Sequence, residues 1–124
     1  MKIEHFALNV ADPVAMADWY CANLGMTIAR RGDPKTATTF LADSNGLMIE
    51  LYNDPREPHF DAANMGTQIW HLALLADDMA ADRTRLIAAG CSAIGEINTT
   101  AVGDQLTFVR DPWGFVLQLV KRAK

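Results

Sequence analysis

His5 and His71 stand 66 residues apart inside matched strings, Ile3-Glu4-His5-Phe6-Ala7-Leu8 and Ile69-Trp70-His71-Leu72-Ala73-Leu74. Glu50-Leu51 and Gln118-Leu119 form a second matched pair, 68 residues apart. Two imidazoles, a carboxylate and an amide are donor types for a divalent metal. Neutral imidazole nitrogens and carboxylate oxygens suit Zn, Ni, Co, Fe or Mn, and Gln118 adds a carbonyl oxygen without charge. Such a set leaves positions open for water or substrate, which separates a catalytic site from a closed structural one. A single histidine or glutamate on a strand is usually structural. Four polar residues that respect a repeat are not explained that way.

The repeat continues between these residues. Asp12 aligns with Asp78, Leu24-Gly25 with Ala89-Gly90, and Asp43-x-x-Gly46 with Asp111-x-x-Gly114. The small drift in offset marks two copies of one unit, about 1–53 and 67–124, joined by a linker 54–66 rich in proline. The whole reads as a single domain of two repeats, since two copies are too few for a solenoid. In the first copy, a strand over 3–10 precedes a helix started by Asp12 as N-cap and Pro13 at its first position, and ended by Gly25. Ala17, Tyr20, Cys21 and Leu24 supply its apolar stripe. Strands follow near 26–31, 37–43 and 47–53. The second copy predicts a strand over 67–76, a helix over 79–89, and strands near 91–97, 104–110 and 115–121.

Alternation along a strand then assigns faces. Phe6, Leu8 and Val10 should pack on the helix, with His5, Ala7 and Asn9 on the other side. Leu47, Ile49 and Leu51 should pack, leaving Met48, Glu50 and Tyr52. Trp70, Leu72 and Leu74 should pack, leaving His71 and Ala73. Phe115, Leu117 and Leu119 should pack, leaving Val116, Gln118 and Val120. All four candidate ligands fall on faces turned from the helices. Phe40 and Phe108 correspond in the repeat, and their side is left open. Arg30, Arg31 and Arg110 read as strand-end surface residues, and His59 as a solvated linker residue.

Composition limits the function classes. Half of the 124 residues are apolar and 21% are charged, which is ordinary globular usage. The net charge of −4 and the absence of a basic stripe exclude a typical nucleic-acid binder. No apolar run reaches the ~18 residues of a membrane span, and no signal-peptide core is visible, so the expected location is cytoplasmic. Cys21 and Cys91 read as reduced core thiols.

With these residues in place, the chain resembles the vicinal oxygen chelate superfamily: glyoxalase I, extradiol dioxygenases, and fosfomycin- and bleomycin-resistance proteins. The motifs that carry the resemblance are His5 in its strand, Trp19-Tyr20 before Leu24-Gly25-Met26, Met48-Ile49-Glu50-Leu51, Trp70-His71-Leu72-Ala73-Leu74, and Asp111-Pro112-Trp113-Gly114 running into Gln118-Leu119. The resemblance implies an α+β fold of two βαβββ modules in tandem, whose curved sheets form a shared metal-binding cup. It implies one divalent metal ion on His5, Glu50, His71 and Gln118, and a small-molecule substrate with vicinal oxygens. Isomerase- or lyase-type proton transfer with Glu50 as the catalytic carboxylate is the first expectation. An Fe(II) enzyme like the extradiol dioxygenases and a non-catalytic binding or resistance protein are the alternatives. The superfamily's paired modules also imply a homodimer. Gln118 departs from glyoxalase-like members, where the last strand carries glutamate, and glutamine cannot act as a base. Asn9 stands where glyoxalase I has a glutathione-binding arginine, and Asn53 is one residue out of register with a glutathione-binding asparagine. Both departures argue against a glutathione substrate.

Overall fold

Asp12 and Pro13 start the first helix as their side chains require. The Asp12 carboxylate accepts from the Ala15 N–H at 3.0 Å, and Pro13 needs no donor partner at that position. Asp78 repeats the cap with the Ala81 N–H, also at 3.0 Å. The computed structural model describes all residues, Met1–Lys124, and divides them into two compact units, Met1–Phe60 and Asp61–Lys124. The segment read as a linker is thus shared, with 54–60 in the first unit and 61–66 in the second.

The first unit runs β1 (His5–Asn9), α1 (Pro13–Leu24), β2 (Thr27–Arg31), β3 (Thr39–Ala42) and β4 (Met48–Tyr52). Its sheet order is β1-β4-β3-β2, with β1 parallel to β4 and the other pairs antiparallel. The second unit holds a short 3-10 turn (Ala62–Asn64), then β5 (Leu72–Leu75), α2 (Met79–Ala88), β6 (Ser92–Thr99), β7 (Gln105–Arg110) and β8 (Val116–Lys121). Its order, β5-β8-β7-β6, repeats the first with the same parallel and antiparallel pairings. The fold is α+β, built of two βαβββ modules in tandem. No helix is long and apolar enough to cross a membrane.

Each helix covers one face of its own sheet. In the first unit Met16, Ala17 and Tyr20 are buried with Leu41, Ile49 and Leu51. In the second, Met79 and Leu86 are buried with Val109, Leu117 and Leu119. Full burial of side chains of this size stabilises by roughly 1.5–3 kcal/mol each, which holds the strands that carry the polar face.

Four local expectations are corrected. The buried stripe of α1 is Pro13, Met16, Ala17 and Tyr20, one turn earlier than expected, while Cys21 and Leu24 are only half-buried. The strand expected over 67–76 is β5 alone, because a turn closed by the Ile69 N–H on the Gly66 carbonyl occupies the preceding residues. Leu47 is exposed, since it lies in the β3–β4 turn before the strand begins. Val116 and Val120 are buried although they share the Gln118 side of β8, where their register partners on β7 are Arg110 and Leu106.

Candidate metal centre and adjoining pocket

In the first unit the register places Glu50 between Ala7 of β1 and Phe40 of β3. His5 lies two residues before Ala7, on the same face, and reaches Glu50 diagonally. Its Nε2 is 3.0 Å from the Glu50 carboxylate. Its Nδ1 pairs with the Glu4 carboxylate. Phe40 meets the imidazole edge-on, with ring centroids 5.4 Å apart at 82°. Carboxylates only accept, so both ring nitrogens are served best when they carry hydrogen. The His5 pKa is therefore raised, first by the hydrogen bond with Glu4; burial of the charged ring opposes this next, and the charges of Glu4 and Glu50 add to the rise. The Glu50 side chain is only 19% exposed, so its charge is felt at short range.

The second unit repeats the arrangement with different polar groups. Gln118 lies between Ala73 of β5 and Phe108 of β7. His71, just ahead of β5, meets Phe108 edge-on at 5.5 Å and 76°. Its Nδ1 is 2.7 Å from the Thr67 carbonyl. A carbonyl cannot donate, so Nδ1 carries the hydrogen, and in the neutral ring Nε2 keeps its lone pair. Second-sphere carbonyls fix metal-binding imidazoles in this tautomer. The two phenylalanines left open by the sequence thus flank the imidazoles on the polar faces.

Each unit supplies one imidazole and one oxygen donor on a common sheet face. Within neither unit does a group of three or more His, Cys, Asp or Glu gather in an arrangement that could hold a metal ion. The donor chemistry fits a borderline divalent ion: the neutral His71 ring presents Nε2 as its free acceptor, and His5 presents Nε2 against a carboxylate. Where His5 is protonated it must lose a proton to take a metal, which couples binding to pH.

Beyond Glu50 on the same face, a cavity of about 320 Å3 is lined by Asn9, Tyr52, Asp54, Arg56 and Glu57. Asn9 builds its wall. The Asn9 amide donates to the Asp54, Glu57 and Pro58 carbonyls at 3.0–3.2 Å, and its oxygen accepts from the Asp54 N–H at 2.7 Å. Arg56 holds Asp54 through Nε and Nη2, at 2.6–3.1 Å. That pairing lowers the Asp54 pKa to about 2. His59 is exposed, as expected of the linker, and its Nε2 lies 2.9 Å from the Asn53 side-chain oxygen.

Arg30 and Arg31 are exposed, as expected, and Arg110 departs from the surface role expected of it. Arg30 lies over the Phe40 ring, 5.3 Å from its centroid, and so joins the rim of the polar face. The Arg31 guanidinium donates to the Thr39 hydroxyl at 3.0 Å. Arg110 is half-buried and donates to the Ala62, Met65 and Gly114 carbonyls at 2.7–3.1 Å. The signal for Arg110 was a break in the repeat, where the first copy has Ala42. Nothing in the sequence marked Asn9 as the clamp of its loop.

Comparison with known proteins follows this geometry. The chain matches the fold of maize (Zea mays) glyoxalase I, seen in its E144Q variant, at 22% identity and TM-score 0.76. That match covers 99% of this chain and 46% of the maize chain, so the protein spans about half of that relative's length. A glyoxalase/bleomycin resistance protein/dioxygenase family enzyme from Burkholderia phytofirmans PsJN matches at 17% identity and TM-score 0.77, over 98% of both chains. TnmS3, an antibiotic-binding protein from Streptomyces sp. CB03234, matches at 22% and 0.71, over 99% of this chain and 97% of its own. No curated protein matches by sequence. The family model described as Glyoxalase/Bleomycin resistance protein/Dioxygenase superfamily matches residues 2–119. With that match over nearly the whole chain, and the fold and paired polar faces in agreement, the protein belongs to this superfamily.

Proposed function

We propose that the protein is a divalent-metal-dependent enzyme of the glyoxalase type, acting on a small substrate through two neighbouring oxygens. The observation that carries this reading is the approach of His5 to Glu50, reproduced in its slots by His71 and Gln118. These four residues would hold the ion, with two donors from each unit. The complete set joins both half-sets, from one chain or from two copies, which fits a cytoplasmic homodimer that keeps both thiols free. When bound, the ion supplies Lewis-acid polarisation of a carbonyl and stabilises developing negative charge. Glu50 is the only member of the set whose oxygen can accept a proton, so it takes the proton from the substrate carbon and returns it. The cavity at Asn9 and Tyr52 holds the remainder of the substrate. Asn9 is committed to the loop and offers no charge to a glutathione carboxylate.

A second reading, a binding protein without chemistry, is favoured by the cavity and by the likeness to an antibiotic-binding protein. Elemental analysis of protein purified without chelators, wild type against His71→Ala, tests the first reading. Wild type should hold about one ion per four-residue set, and loss of a ligand should remove most of it. Equal metal content in the two removes the site. A ligand bound tightly without metal and without turnover supports the second reading.

A further inference from the structure

The Arg110 guanidinium does more than end a strand. Its Nη1 donates to the Ala62 carbonyl at 3.1 Å and the Gly114 carbonyl at 2.9 Å, and its Nη2 to the Met65 carbonyl at 2.7 Å. Two of these acceptors lie at the ends of the short turn before β5, which the Met65 N–H closes on the Ala62 carbonyl at 3.1 Å. The third belongs to the β7–β8 turn. Gly114 lets the two segments touch: a Cβ there would lie 2.8 Å from Ala63 Cα. Two residues after Met65 comes Thr67, whose carbonyl takes the Nδ1 hydrogen of His71. Two residues before Arg110, on the same side of β7, Phe108 meets the same imidazole edge-on. One face of one strand therefore meets the ring directly through Phe108 and, through Arg110, holds the 62–65 segment that leads to Thr67.

The first unit does this differently. His5 Nδ1 faces a side-chain carboxylate, Glu4, that is 65% exposed, and the residue aligned with Arg110 is Ala42. A main-chain carbonyl moves only with its segment, so holding that segment holds the acceptor.

Resting on the metal-ligand reading of His71, we propose that Arg110 is a positioning residue. By clamping residues 62–65 it sets the Thr67 carbonyl against Nδ1, keeps the hydrogen there, and leaves the Nε2 lone pair aimed for an ion. Which ring nitrogen carries the proton is set by the bond the other makes. Released from the carbonyl, the ring is free to carry its hydrogen on Nε2, which blocks ligation until that hydrogen moves.

The test uses the full chain, metal-free, as wild type, Arg110→Met and Arg110→Gln. Imidazole nitrogen shifts are read by NMR at about pH 8.5, above the usual imidazole range. Wild type should show His71 with hydrogen on Nδ1. Both variants should move His71 toward the Nε2–H form and leave His5 unchanged. Titration with Zn2+ should then show affinity reduced about 10–100-fold, the usual effect of removing outer support from a ligand. A folded variant in which His71 keeps the Nδ1–H form overturns the proposal; should Arg110→Met not fold, Arg110→Gln decides by the same signal. A moved hydrogen with unchanged zinc affinity upholds the positioning role and removes His71 from the ligand set.

Discussion

Glu50 and Gln118 occupy the same slot of two copies of one sheet, the first opposite Phe40 and the second opposite Phe108. The two sites differ there by a negative charge and by a base. Gln118→Glu should therefore tighten metal binding by ~1–3 kcal/mol, the usual advantage of a charge-assisted contact over a neutral one. It should also create or raise activity on a hemithioacetal, because a second mobile carboxylate appears. Competition against a chelating dye measures the first effect. Unchanged affinity would take Gln118 out of the ligand set and leave three residues.

The His5 imidazole titrates above the ordinary 6.5 because Glu4, foremost, and Glu50 favour its charged form. For a raised histidine, the stabilisation is complete below the unfolded value and is lost as pH rises through the folded one. Glu4→Gln should bring the midpoint down toward 6.5, read by NMR on the metal-free protein. A midpoint insensitive to Glu4 would assign the shift to Glu50 alone.

Cys91 is buried, and burial, helped by the Asp111 carboxylate, pushes its thiol up to about 11 from 9.0. Folding thus favours the neutral thiol. Its contribution to stability is complete below about pH 9 and falls as pH rises toward 11. A thiol reagent at about pH 8 should modify Cys91 much more slowly than a free cysteine, since the thiolate is the nucleophile. Mass spectrometry of the modified protein gives the answer, and a Cys91 rate equal to that of free cysteine contradicts it.

Gly25 and Gly114 both hold positive φ, +69° and +91°, yet they should respond differently to substitution. Gly25 ends α1 with nothing within 4 Å of a built Cβ, so Gly25→Ala should cost only the left-handed backbone penalty, about 1–2 kcal/mol. Gly114→Ala adds contact with the Ala63 backbone at 2.8 Å and should cost more. Denaturant unfolding of the two variants ranks them, and equal losses would mean that the 62–65 segment yields without resistance.

The parts of the fold that local chemistry sets were legible in the sequence. Asp12, Pro13 and Gly25 bound α1 because cap and turn preferences act over a few residues. His5, Glu50, His71 and Gln118 fall on the polar faces because alternation follows from the strand itself. What escaped the sequence depends on partners far along the chain. Asn9 reaches carbonyls 45–49 residues away, and Arg110 reaches back 45–48, so neither role has a local signature. The sides of Phe40 and Phe108 required the register, which only pairing supplies. The start of β5 was misjudged because Gly66–Ile69 closes a turn in a stretch whose apolar residues imitate a strand.

The period of two along β4 and β8 has an evolutionary consequence. Ile49 and Leu51 flank Glu50, and Leu117 and Leu119 flank Gln118, yet each pair is buried beneath the sheet while the polar residue stands on the other side. A codon change at position 50 or 118 therefore alters the polar group without disturbing the neighbours that hold the strand. Duplication extends this freedom: one copy can keep a carboxylate while the other explores an amide, and the selective histories of foldability and of chemistry run on separate sets of positions.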